Sequence, residues 1–185
     1  MKKILMIFAV STVLFSCSKD DKDNTQPTNN NPSSLQAILP GEWKMTHTHQ
    51  EGKNTVSGQV LNTFVTDGSN FKGTALFEEN PNKVTSDFGY DYTTVLTISL
   101  GGSTQTQTIT DVIPQTSTVS SWSINSQGQL VGLSSDPQAT ATPLDVTIKS
   151  ATEIVLKGTS TTTQTQQGTT MTSEIDVEIT LEKLP

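Results

Sequence analysis

The chain has 185 residues and a formal charge of −7, which allows one ordinary domain and excludes a multidomain machine. All 11 cations are Lys; without Arg there is no bidentate donor for phosphate or guanine, and nucleic acid is not an expected partner. The 32 Thr, 20 Ser, 13 Gln and 10 Asn stand against 6 Phe, 2 Trp and 2 Tyr, a β-prone, polar mixture poor in strong helix formers. An all-β fold with one wet face is the expectation.

Residues 1–16 begin with Lys2 and Lys3 and continue as an apolar stretch from Ile4 to Phe15, the two parts of a secretory signal peptide. The stretch is shorter than the ~20 residues that span ~30 Å of hydrocarbon, and an acidic flank follows it rather than a positive one. Leu14-Phe15-Ser16-Cys17 resembles the bacterial lipobox, with an apolar residue three before the cysteine and a small one just before it. The resemblance implies a diacylglyceryl group on the Cys17 sulfur, cleavage before Cys17 and acylation of the new amine. The competing reading is a lone thiol left by ordinary signal cleavage. One acyl chain binds a membrane only marginally, at roughly 0.8 kcal/mol per buried methylene, so two or three chains attach the protein firmly. Cys17 is the only cysteine, so no intramolecular disulfide forms and stability must come from the core.

Ser18-Lys19-Asp20-Asp21-Lys22-Asp23-Asn24 resembles the acidic stretch after the lipid cysteine in surface-exported lipoproteins of the Bacteroidetes group. That implies an outer-membrane protein, lipid-anchored and exposed at the cell surface; the alternative is a solvated charge run without an address function. Removal of residues 1–16 takes away Lys2 and Lys3 and no acid, leaving a charge of −9. Anionic headgroups repel such a body, so attachment rests on the lipid. Residues 17–34 form the lipidated cysteine and its tether: 18–34 hold Pro27, Pro32 and Asn29 to Asn31 and no apolar residue, too little to offset ordering entropy. Such a segment reaches about 20–25 Å from the lipid surface.

The domain is expected over 35–185, large enough for a single core. Ser33-Ser34 before Leu35-Gln36-Ala37-Ile38-Leu39 predicts a short helix stopped by Pro40-Gly41. Thereafter the period is two. Trp43, Met45, His47 and His49 alternate with Glu42, Lys44, Thr46 and Thr48, placing the two sets on opposite faces of a strand. Further strands are predicted at 56–66, 71–79, 83–100 with a bend at Gly89, 104–113, 118–125, 129–134, 143–150, 152–165 and 170–183. The expected breakers are Asp67-Gly68, Asn80-Pro81-Asn82, Gly101-Gly102 and Gln127-Gly128. A two-residue turn at Gln167-Gly168 pairs Ile154 with Leu181, Leu156 with Ile179 and Gly158 with Val177. Ile175, Val177, Ile179 and Leu181 then share one face, with Glu174, Asp176, Glu178 and Glu182 on the other, and a one-residue slip would drive the carboxylates inward. A single antiparallel up-and-down barrel of about 8–10 strands follows, with a two-sheet sandwich as the alternative.

Leu39-Pro40-Gly41-Glu42-Trp43-Lys44, a short helix leading into Gly-x-Trp on the first strand with a meander after it, resembles the lipocalin-like domains of small Bacteroidetes lipoproteins. The resemblance implies a lipocalin-like barrel. Classical lipocalins place an Arg over that Trp; this chain has none, and Lys183 is the cation expected over the ring instead.

Other chemistry-bearing patterns have plainer readings beside them. His47 and His49 have the spacing that aims two imidazoles at one metal, but no other His exists to complete a site; a partly exposed strand end is the plainer account, and no metal is expected. Glu174, Asp176 and Glu178 stand about 7 Å apart along a face, near the separation of glycosidase carboxylates, yet a regular row beside an apolar face reads as a solvated surface. Asp87-Phe88-Gly89 copies a kinase triplet without the rest of the kinase motifs, and no nucleophile elbow or P-loop occurs. The Thr/Gln tracts 103–108 and 161–167 suit exposed strands or a glycan- or protein-binding surface. Tyr90, Tyr92 and Trp122 suit a core or a cavity mouth.

The leading functional expectation is a non-enzymatic surface lipoprotein whose barrel binds a small hydrophobic or amphipathic ligand, without a cofactor. Trp43, Met45, Gly158 and Trp122 are the candidate ligand-binding residues, because Gly158 and Ser160 on the inner hairpin face fill little space. The alternative is a surface accessory or adhesion module that contacts protein or glycan through its Thr-rich strands.

Overall fold

The computed structural model describes residues 32–100, 102–133, 142–166 and 168–185. The signal peptide 1–16, Cys17, the acidic stretch and the tether as far as residue 31 lie outside the described residues. Helix α1 (Pro32–Ile38) starts three residues inside the segment read as tether, with Pro32 in the first turn, where no backbone donor is needed. No helix among the described residues is long and apolar enough to cross a membrane.

Among the described residues eleven antiparallel strands follow, in one sheet. β1 (Gly41–Val56) and β2 (Gln59–Lys72) make a long hairpin. Its turn is Ser57-Gly58, with φ of 49° and 81°, the two positive values that a tight hairpin matching the strand twist requires. β3 (Ala75–Glu78) and β4 (Lys83–Ser86) turn about Asn80-Pro81-Asn82, and β7 (Thr118–Ile124) and β8 (Leu130–Leu133) about Gln127-Gly128, as the breakers predict; β5 (Gly89–Leu100) and β6 (Ser103–Ile113) pair up to Leu100 and Ser103. β9 (Asp145–Ser150), β10 (Glu153–Gln166) and β11 (Thr169–Lys183) complete the chain.

Three local expectations are corrected. Asp67-Gly68 is not a turn: β2 runs through it, because Gly68 leaves space for the Thr48 methyl and the Phe71 ring against the strand. Glycine here permits close packing rather than reversal. The predicted strand 83–100 divides at Asp87-Phe88 into β4 and β5. In β1 a bulge lies between Met45 and His47. It inverts the alternation, so Thr48, 3% exposed and opposite Ile179, takes the inward place, and His47 and His49 turn outward.

The β10–β11 register is the predicted one: Ile154 pairs with Leu181, Leu156 with Ile179 and Gly158 with Val177. Topology departs from a simple meander. β1, β2, β10 and β11 have 16, 14, 14 and 15 residues, roughly 50 Å each and far longer than one core layer. Gly41 to Trp43 of β1 pair with β3, His49 to Val56 pair with β2, and β11 flanks both stretches. The strands therefore serve two regions. In the first, β3-β4-β7-β8 and β9-β10-β11 lie to either side of β1 around the core. In the second, β2-β5-β6 and the distal halves of β1, β10 and β11 form an extended wing. The ladders leave the sheet open, so the expected closed barrel is not what they form; a sandwich-like arrangement is compatible. Among the described residues one pair spans the gap between β8 and β9, Leu130 and Leu144, which exchange N–H···O bonds of 2.9 and 2.8 Å.

Leu35, Leu39, Trp43, Phe77, Trp122, Val146, Ile154 and Leu181 are buried together. The helix covers one end of this core, with Leu35 and Leu39 fully inside. Apolar burial at about 25 cal/mol per Å² drives the assembly.

Candidate functional site

The core is not filled to its end. A cavity of about 200 Å³ lies between Met45 of β1, Phe77 of β3, Val84 of β4, Trp122 of β7, Leu130 and Gly132 of β8, Leu156 of β10 and Ile179 of β11, with Phe88 and Leu144 at its side. Strand alternation explains the lining. Each of these strand residues occupies an inward position in its ladder, and Gly132, opposite Trp122, contributes no side chain. A Cβ built on Gly132 would meet none of the described residues within 4 Å.

The lining is almost wholly hydrocarbon. The Trp122 indole N–H donates to the Glu78 carbonyl at 3.0 Å, and its ring meets Phe77 edge-on at 6.1 Å, so the indole presents carbon to the cavity. Ser86, the polar side chain of the lining, pairs its hydroxyl with Thr118 at 2.9 Å. Among the described residues no titratable side chain lines the space. Such a cavity offers dispersion and desolvation, not hydrogen-bond recognition.

The candidate residues separate. Met45 and Trp122 line the cavity. Trp43 lies beneath it, fully buried, its N–H donating to the Leu39 carbonyl at 2.7 Å; Lys183 Nζ stands 5.4 Å from the ring centroid, as expected. Gly158 lies outside the lining, because Leu144 Cδ2 is 2.5 Å from the place where its Cβ would stand. The space left by Gly158 is filled by a residue distant in sequence. Gly132 was not a sequence candidate, although an isolated glycine inside a strand is a recognised sign of close approach or open space.

The remaining patterns lie elsewhere. His47 and His49 stack at 6.4 Å on the outer face, and His49 Nδ1 pairs with Asp67 at 2.6 Å. Among the described residues no group of three His, Cys, Asp or Glu side chains is placed to hold a metal ion. The carboxylate row is a ladder of cross-strand ion pairs: Lys44–Glu182 at 3.0 Å, Lys53–Glu174 at 2.9 Å and Lys157–Glu178 at 2.7 Å. The Lys157 hydrogen bond holds the Glu178 carboxyl below its usual range. Tyr92 is buried and Tyr90 packs on Phe71 at 5.7 Å; burial raises both phenols, with smaller contributions from Tyr92 and Asp111 respectively.

Asp87 joins the two regions. It accepts from the Thr74 N–H and from Gln115 Nε2, both at 2.7 Å, where the chain leaves β2, crosses to β5 and returns from β6. These bonds, the Thr74 one first, hold its carboxyl below the ordinary value. No family model, curated protein or solved structure matches the chain.

Proposed function

We propose that this protein is a non-enzymatic outer-membrane lipoprotein, anchored by acyl groups on Cys17 and exposed at the cell surface, whose lipocalin-like β domain binds a small hydrophobic or amphipathic ligand. The observation that carries the reading is the apolar cavity of about 200 Å³ between Met45, Trp122, Leu130 and Ile179. A hydrocarbon lining favours an apolar guest through dispersion and desolvation, and a cavity of about 150 Å³ accepts a benzene-sized one. The Leu130–Leu144 bridge supports the pocket, since it joins the strands on either side of the open gap. The Leu-Phe-Ser-Cys lipobox and the acidic residues after it support the anchor and the address.

Mass spectrometry of an organic extract of the purified full chain tests the reading. The expected result is an apolar or amphipathic molecule present at up to one per chain, retained through purification and absent after the cavity is filled by substitution. A folded chain that carries none and takes up none when exposed to an apolar extract overturns it. The surface-module alternative draws on β6, whose Ser103–Val112 side chains are all exposed, and becomes the better account in that event.

A further inference from the structure

The cavity continues onto the wing. β11 has no irregularity in its ladder with β10, so Val177 and Ile175 point to the same side as the lining residue Ile179. Leu144 connects the two surfaces: it lines the cavity, covers Gly158, and lies beside Val177, whose Cγ1 is 3.5 Å from the Gly158 Cβ position. Beyond Val177, the row of Ile175 continues across the sheet through Gly52 and Phe64 to Leu96. The Phe64 ring lies over Gly52, which has no side chain of its own. The apolar track therefore runs about 14 Å from Ile179 to Ile175. It stops at the next inward row, where Asn54 donates to Asn62 at 2.8 Å beside Ser173.

Size and charge define what fits. At the density of a benzene-filled cavity of about 150 Å³, the 200 Å³ here holds on the order of eight carbons. A longer chain must lie along the track. Inward positions of β1, β2, β5, β10 and β11 between the cavity and the Asn row carry no Lys, Asp or Glu. An anionic head would lose its hydration there and gain no cation.

We infer that the ligand is a neutral single-chain amphiphile of the monoacylglycerol class, with the end of its chain in the cavity, the rest along Val177 and Ile175, and its uncharged head at Asn54, Asn62 and Ser173. This inference rests on the cavity reading above.

Binding of 1-octanoylglycerol, 1-tetradecanoylglycerol and tetradecanoate to the purified full chain, each below its self-association concentration, tests it. From the methylene contribution, the tetradecanoyl ester binds about tenfold or more tightly than the octanoyl ester. Val177→Ser with Ile175→Ser brings the two esters to similar affinity, chiefly by weakening the tetradecanoyl ester. Tetradecanoate binds about tenfold or more weakly than its ester at pH 8. Should neither ester bind, the cavity reading fails and this inference with it. Should the octanoyl ester bind while the longer one gains nothing, or keep its lead in the double variant, the track is overturned and the cavity stands. Equal or tighter binding of tetradecanoate overturns the neutral head.

Discussion

Lys183 Nζ stands 5.4 Å from the centroid of the Trp43 ring and donates a hydrogen bond of 2.8 Å to the carbonyl of Ile38. One ammonium from the last strand thus fixes the first strand and the end of the helix together. Gly41 makes the approach possible: its φ is +125°, and a Cβ there would lie 2.7 Å from Lys183 Cε. Lys183→Met keeps the stem but removes the charge and leaves the Ile38 carbonyl without its donor. The expected loss is about 1–3 kcal/mol, from the cation–π contact and a charge-assisted hydrogen bond. The urea midpoint measures it; an unchanged midpoint would show that the cap contributes nothing.

Trp43→Ala removes a fully buried ring and an indole N–H already bonded to Leu39. The expected loss is about 3–5 kcal/mol by equilibrium unfolding, the range for truncating a large buried aromatic. A loss below about 1 kcal/mol contradicts the placement of Trp43 at the centre of the core.

Asp87 gives a pH signature. Its folded pKa lies below the ordinary value because Thr74 and Gln115 donate to its charged form. A depressed carboxylate stabilises fully above its unfolded pKa, and the contribution is lost as pH falls through the lower folded value. Asp87→Ala should therefore lower the urea midpoint at pH 6, and the gap between variant and parent should close below about pH 4. A gap independent of pH would mean that the ionised carboxylate is not what holds the crossover.

Cys17→Ala tests the anchor. The thioether requires that sulfur, so labelled fatty acid should be absent from the variant and the protein should leave the membrane fraction. Label retained on the variant contradicts the lipobox reading.

The β10–β11 register was legible because an apolar row alternates with carboxylates across a glycine turn, and only one pairing keeps every carboxylate out. Lys183 over Trp43 was legible because a chain without Arg has few cations to place there. The Thr46 bulge was not, since the residues around it alternate without a break and only the pairing of His47 with Thr180 shows the extra residue. The wing was hidden for a related reason. Thr-rich strands such as β5 and β6 present similar faces to any neighbour, so their side chains do not select β2 as partner. Gly68 and Gly158 look alike in sequence, a turn signal and an empty place, yet Thr48 with Phe71 fills one and Leu144 the other. The cavity depends on which strands face each other, and Met45 and Trp122 could be proposed where Gly132 could not.

Titration of the folded chain with a neutral environment-sensitive apolar fluorophore, with and without Gly132→Leu, decides whether the cavity takes a ligand. Gly132 lines the cavity with none of the described residues within 4 Å of a Cβ, whereas Gly158→Leu would collide with Leu144. The parent should show saturable binding at one site, and Gly132→Leu should reduce it about tenfold or more with the urea midpoint unchanged or raised, as expected when a void is filled. Saturable binding that survives Gly132→Leu unchanged, or no binding by the folded parent, would contradict the cavity reading.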